Sequence, residues 1–166
     1  SFASVKTKVA SFPLGFAITG QRDALSTIKE IAFQCRCAIW VRDNTVHLKY
    51  LPEEPTSDME ITLSDISSRS LMVETTPTED LVTKLVAKWT RSYEAGPEDM
   101  ILRSYNSDRY GVKDRTFDFY AYNNAKIVHH CATFWMIRFS NTWKRVKFQG
   151  FLNLLPLEPF DTVTLN

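Results

Sequence analysis

Ala125-Lys126-Ile127-Val128-His129-His130-Cys131-Ala132-Thr133-Phe134-Trp135-Met136-Ile137-Arg138-Phe139, then Trp143-Lys144-Arg145-Val146-Lys147-Phe148-Gln149-Gly150-Phe151-Leu152-Asn153-Leu154, then Leu157-Glu158-Pro159-Phe160-Asp161-Thr162-Val163-Thr164-Leu165: this last quarter of the chain decides how the rest is read. The first run has helical length and can be capped by Asn123-Asn124. Its early stripe is Val128, Ala132 and Trp135, and 134–137 is apolar all round, so that half must be buried on more than one side. The second run alternates Val146, Phe148, Gly150, Leu152 and Leu154 with Arg145, Lys147, Gln149 and Asn153. It reads as a one-sided strand in which only Phe151 breaks the phase. The third is a proline turn leading into a final strand. Helix, strand, turn and strand make a structural building block, with no reaction centre in it.

Upstream, Ala24, Leu25, Ile28, Ile31, Ala32 and Cys35 recur at helical spacing within 21–35. Arg22, Ser26, Lys29 and Glu30 lie on the other side, and Thr19 is placed to cap. A two-residue turn at Asp43-Asn44 then sets a hairpin by arithmetic. Arg42 faces Thr45, Val41 faces Val46, Trp40 faces His47, Ile39 faces Leu48 and Cys37 faces Tyr50. Val41, Val46, Ile39, Leu48, Cys37 and Tyr50 share the face expected to pack on the helix, and Trp40 and His47 point away. An outward indole is either covered by a later segment or presented to a partner.

Val5-Lys6-Thr7-Lys8-Val9 alternates as a strand does, and Pro13 and Gly15 break the pattern. The stretch 51–58 carries two prolines and reads as a surface connection. Ile61-Thr62-Leu63 and Leu71-Met72-Val73 read as short strands. In 81–93, Leu81, Leu85 and Trp89 fit a helix, but Val82, Thr83, Val86 and Thr90 favour a long strand, the reading adopted. Gly96-Pro97-Glu98-Asp99 marks a loop, 102–108 is weakly patterned, Tyr110-Gly111 is a turn, and Thr116-Phe117-Asp118-Phe119-Tyr120 alternates as a strand. The expected class is α+β, mainly antiparallel strands with two helices at about 21–35 and 124–138, one packed on a β-hairpin. A seam near Thr76-Pro77-Thr78 separates a helix-plus-hairpin module, 1–77, from a β-rich module with the second helix, 78–166, unless the two are fused in one domain.

Of the 166 residues, 44% are hydrophobic and 13% aromatic, which supports a packed core and excludes a disordered chain. Twenty Lys and Arg against 19 Asp and Glu leave a formal net charge of +1, so nucleic-acid or membrane binding needs a local patch. No apolar stretch approaches the roughly 20 residues of a membrane span, and Lys6 and Lys8 interrupt the start, unlike a signal-peptide core. The sequence opens on Ser1 rather than Met, as expected of a piece cut from a longer polypeptide. Three cysteines, two of them too close to pair, argue for reduced thiols in a cytosolic setting.

Cys35, Cys37, His129, His130 and Cys131 are the most tempting metal set. Cys35 ends a helix and Cys37 begins a strand, however, and neighbours along a helix point apart, so core cysteines and a helix-face histidine are the better reading. No Gly-x-Ser-x-Gly elbow occurs, and the five glycines are too scattered to cradle a phosphate. The acid pairs Glu53-Glu54, Glu79-Asp80 and Glu98-Asp99 lie in apparent loops, where carboxylates are usually just solvated. Lys84, Lys88, Trp89, Arg91 and Tyr93, with Trp143, Lys144, Arg145, Lys147 and Phe148, interleave cations and aromatics as single-stranded nucleic-acid surfaces do.

One succession of features is familiar. Ala24-Leu25 and Ile31-Ala32 precede Ala38-Ile39-Trp40-Val41 and Val46-His47-Leu48-Lys49-Tyr50. Then come Ile61-Thr62-Leu63-Ser64-Asp65-Ile66, Leu81-Val82-Thr83-Lys84-Leu85-Val86-Ala87-Lys88-Trp89 through Tyr93, Tyr110-Gly111, the helix around 125–138, and the Leu157-Glu158-Pro159-Phe160-Asp161-Thr162-Val163 ending. This order resembles a module of contractile and siphophage tail hub proteins, over most of the chain from about Phe16 onward. The resemblance implies a non-enzymatic structural protein of a phage or prophage baseplate hub or tail tip, needing no cofactor. It further implies rings that continue the tail tube, and partners among other tail proteins: tube, spike or further hub copies in a homo-oligomer. The implied location is the virion tail, and the bacterial cytoplasm during assembly, with no membrane. Trp40, His47, Trp89, Arg145 and Lys147, outward in phase on alternating strands, are the candidate interface residues. A single-stranded nucleic-acid-binding domain on the basic aromatic strands is the alternative, followed by a cell-wall hydrolase using Cys131 or an acid pair.

Overall fold

The computed structural model describes residues 2–92, 94 and 96–166. Ser1, and Tyr93 at the far end of the expected strand 81–93, lie outside them. A short helix at Phe2–Val9 (α1) stands where a strand was expected. Val5 and Val9 alternate, but they are also four residues apart and so share a helical face; Val5 is buried and α1 packs on the hairpin.

The longer helix Ala24–Gln34 (α2) starts at Asp23 rather than Thr19. The Asp23 carboxylate accepts the Ser26 amide at 2.6 Å, and its carbonyl accepts the Thr27 hydroxyl at 2.9 Å. Ile31, Ala32 and Cys35 reach the core, whereas Leu25 and Ile28 of the same stripe remain exposed. Arg36, with φ of +58°, turns the chain out of α2 into the strands Cys37–Arg42 (β1) and Thr45–Tyr50 (β2). Asp43 and Asn44 take φ of +50° and +58°, the left-handed pair that a tight hairpin turn demands. The register is the expected one, from Cys37 opposite Tyr50 to Arg42 opposite Thr45. Ile39, Leu48 and Tyr50 pack on the core, but Val41 and Val46 near the tip are exposed.

The remaining elements are Met59–Ile61 (β3), Met72–Thr75 (β4), Lys84–Trp89 (β5), Glu98–Arg103 (β6), the single turn of helix Ser107–Tyr110 (α3), Asp114–Asp118 (β7), Ala125–Ser140 (α4), Lys144–Lys147 (β8) and Val163–Leu165 (β9). The α+β class holds, with mainly antiparallel pairs, though α1 and α3 add to the two helices expected. At the centre, β5 pairs antiparallel with β6 and parallel with β7. Leu85, Ala87 and Trp89 of β5 share a buried cluster with Val128, Cys131, Ala132 and Met136 of α4, joined by Ala32, Cys35 and Cys37. Asn124 caps α4 by accepting the Lys126 amide at 2.9 Å.

Strand β6 occupies the stretch read as loop and weak pattern. Met100 and Leu102 pack on the core, but Glu98, Asp99 and Arg103 surround them and Ile101 faces out, which blurs the alternation. The strand expected across 143–154 ends at Lys147. Gly150 makes only an isolated bridge to Ile66, and 152–154 form a 3-10 turn. The chain folds back there, bringing the Leu154 side chain so close to Gly150 that a Cβ on residue 150 would meet it. Two small sheets complete the molecule: β3 with β9, parallel, and β4 with β8, antiparallel.

Candidate assembly surface

The thiols are sequestered. Cys35, Cys37 and Cys131 are all buried and unpaired. The Tyr122 hydroxyl donates to Cys35 Sγ at 3.1 Å, and the Cys37 thiol to the Cys35 carbonyl at 3.4 Å. Burial pushes the Cys131 thiol up to about 12; burial, followed by the neighbouring Cys35, does the same to Cys37. Burial thus disfavours the thiolate form at all three positions. Among the described residues, no three of His, Cys, Asp or Glu come together so as to hold a metal ion. His129 is exposed, and His130 Nε2 lies 2.7 Å from Arg36 Nη1. A guanidinium has no acceptor, so the imidazole accepts.

Arg36 is 1% exposed, the largest of the fully buried side chains. Its guanidinium lies 4.0 Å from the ring centre of Phe134 and 5.2 Å from that of Tyr50, and it donates to Glu53 Oε1 at 2.9 Å and to the Leu51 carbonyl at 3.3 Å. Arg138 sits 3.8 Å from the same Phe134 ring and donates to the Pro52 carbonyl at 3.3 Å. Burial, then the Arg36 charge, lowers the Arg138 pKa. These two cations clamp the 51–53 connection onto α4, a structural task that leaves Arg36 no exposed face for a ligand.

The five candidate interface residues separate by position. Trp40 stacks on His47, ring centres 5.3 Å apart and 18° from parallel, and Phe160 lies 5.7 Å from the indole. The tail carrying Phe160 is tied to the hairpin. Lys49 Nζ reaches Asp161 at 2.7 Å and Asp58 at 3.1 Å, and Arg42 reaches Glu158 at 3.4 Å. The outward indole is therefore covered by a later segment of its own chain. Trp89, expected outward, is only 4% exposed, because the phase of β5 places Leu85, Ala87 and Trp89 together against α4 and turns Lys88 out. Arg145 and Lys147 are exposed on β8, with Lys147 bonded to Glu74 at 3.0 Å.

The most conspicuous surface lies elsewhere. Leu63, Leu152 and Leu155 are 72%, 85% and 70% exposed, and Phe151 is also exposed. Asp65 holds their two segments together. Its carboxylate accepts the Thr62 amide at 2.8 Å, the Thr62 hydroxyl at 2.7 Å and the Asn153 side-chain amide at 2.6 Å, and its carbonyl accepts the Phe151 amide at 3.1 Å. Strand β4, paired with β8, also exposes Met72 and Val73, one on each of its faces. Large apolar side chains held out on hydrogen-bonded loops are what a protein contact buries. Sequence reading placed Leu152 on the inner face of a strand and overlooked Leu155. The available signal was the run Leu154-Leu155-Pro156-Leu157, apolar across a proline turn.

No helix is long and apolar enough to cross a membrane among the described residues. No protein-family model matches the chain, and no curated protein matches it. Among solved structures, the fold is similar to that of prophage tail protein gp18 from Listeria monocytogenes EGD-e, with a TM-score of 0.50 and 11% sequence identity, over 88% of this chain and 44% of that one. The chain spans less than half the length of that protein, and the likeness is one of fold.

Proposed function

We propose that this chain is a structural component of a phage or prophage tail, at the hub or tail tip, and that it works by protein–protein assembly rather than catalysis. The observation that carries this reading is the exposed apolar set Leu63, Phe151, Leu152 and Leu155, pinned by Asp65. Burying each such leucine against a partner is worth about 2 kcal/mol. The fold similarity to a prophage tail protein supports the setting. The partners are other tail proteins (tube, spike or further hub copies), and the location is the virion tail. Arg145 and Lys147 are exposed on β8, the strand that precedes the Phe151–Leu155 segment. Bonding of Lys147 to Glu74 offsets part of the charge that single-stranded nucleic acid would need.

The test is the double variant Leu152→Glu, Leu155→Glu carried in the phage or prophage. The expected result is loss of the chain from purified tails and a fall in assembled particles, with circular dichroism and melting of the isolated chain unchanged. Tails of normal yield and composition from the double variant would overturn the reading.

A further inference from the structure

The three-stranded sheet ends on β7, which among the described residues has a strand neighbour on one side only. The direction of its backbone groups follows from the bonds at its two ends. The Lys84 amide donates to the Lys113 carbonyl at 3.0 Å, and the Phe119 amide to the Lys88 carbonyl at 2.7 Å. Odd-numbered residues of this segment thus turn their amides and carbonyls to β5. Asp114, Thr116 and Asp118, all exposed, turn theirs away from the sheet.

That open edge lines a groove. A cavity of about 860 Å³ is bounded by Thr116, Phe117 and Asp118 on the strand side and by Lys29, Glu30 and Phe33 of α2 on the other. Phe33 and Phe117 form its apolar wall, backed by two further half-buried rings that do not line it. Phe33 stacks on Trp135 at 4.3 Å and on Phe117 at 5.4 Å, and Phe117 stacks on Phe139 at 5.5 Å. Three cations, Arg22, Lys29 and Lys88, line it against two carboxylates, Glu30 and Asp118. Glu30 is already engaged, by the Tyr120 hydroxyl at 2.9 Å and Arg22 at 4.0 Å. Exposed Lys29 and Lys88 form no ion pair among the described residues.

We propose that this groove receives an extended segment of another protein, which adds to β7 as a fourth strand and alternates apolar with acidic residues. The Asp114, Thr116 and Asp118 backbone supplies the ladder. Side chains on one face of the added strand meet the Phe33 and Phe117 rings, and carboxylates reach Lys29 and Lys88. The inference rests on the assembly reading in taking the segment from another tail protein, but it uses a surface separate from Leu152 and Leu155.

The experiment uses the isolated chain with two synthetic peptides long enough to span β7, one alternating valine with glutamate and the other valine with lysine. The glutamate peptide is expected to bind about ten-fold more tightly. Hydrogen exchange is expected to slow at the amides of Asp114, Thr116 and Asp118 and to stay unchanged at Arg115 and Phe117, which already face β5. Lys29→Glu with Lys88→Glu, both on exposed positions, is expected to abolish the preference while the chain melts as before. Equal binding of the lysine peptide, or no alternating protection, overturns the proposal. So does protection of Thr116 that grows with protein concentration in the absence of peptide, since a second copy would then be the occupant. Failure here with loss of assembly in the Leu152 and Leu155 double variant would remove this groove alone.

Discussion

The Asp65 carboxylate accepts the Asn153 side-chain amide at 2.6 Å, joining positions 88 residues apart. The same carboxylate also accepts the Thr62 amide and hydroxyl, and those bonds, with Asn153, hold its pKa below the usual carboxylate value. Asp65→Ala is expected to free the 150–155 turn without unfolding the core, which lies elsewhere. Limited proteolysis checks this: cleavage should speed up within 150–155, while the overall melting curve moves little.

Arg36 is a buried cation that the surroundings cannot easily replace. Arg36→Ala removes the ring contacts with Phe134 and Tyr50 and the bonds to Leu51, Glu53 and His130, and is expected to lower stability by about 3 kcal/mol in urea denaturation. Glu53→Gln should cost under about 1 kcal/mol, because the Glu53 side chain is 63% exposed and its ion pair is screened.

Trp89 and Arg145 provide a contrast between core and surface. Trp89→Ala is expected to lose about 3–5 kcal/mol through the cavity it leaves beside α4. Arg145→Ala should stay within about 0.5 kcal/mol of the parent chain. Equal effects in thermal melts would contradict the burial described for β5.

The tail over Trp40 should respond to acid. A hydrogen bond from Lys49, then the Glu158 amide, lowers the Asp161 pKa, and the Thr162 amide, then Lys49, lowers that of Asp58. Both carboxyls bind protons more weakly when folded. Their stabilisation is therefore complete above the unfolded value of about 3.9 and is lost as pH falls through the lower folded values. Asp161→Asn should flatten that acid limb, read through Trp40 fluorescence as Phe160 leaves the indole.

Legibility followed the range of the interactions. The hairpin register was open to arithmetic because a two-residue turn with two left-handed residues allows one pairing. The helix at 125–140 was visible because its apolar run exceeds any strand. Residues 5–9 were ambiguous in principle, since Val5 and Val9 satisfy both periods. Strand β6 was hidden because its neighbours on β5 decide which of its side chains are inside. The run Leu154-Leu155-Pro156-Leu157 hinted at exposed leucines, but the bond that fixes their loop, from Asn153 to Asp65, joins residues remote in sequence and no local pattern records it. The covering of Trp40 by Phe160 was one of two alternatives, and tail electrostatics decided it.

The pairing of Met59 with Val163 and the bond from the Thr162 amide to Asp58 span 104 positions. Phe33 and Trp135 in the core are themselves 102 positions apart, so closing the β3–β9 loop costs hardly more chain entropy than closing the core does. Docking of the final strand and covering of the indole are one event, since the segment that carries Phe160 is the one that Lys49 and Asp58 anchor, and releasing it would bare Trp40.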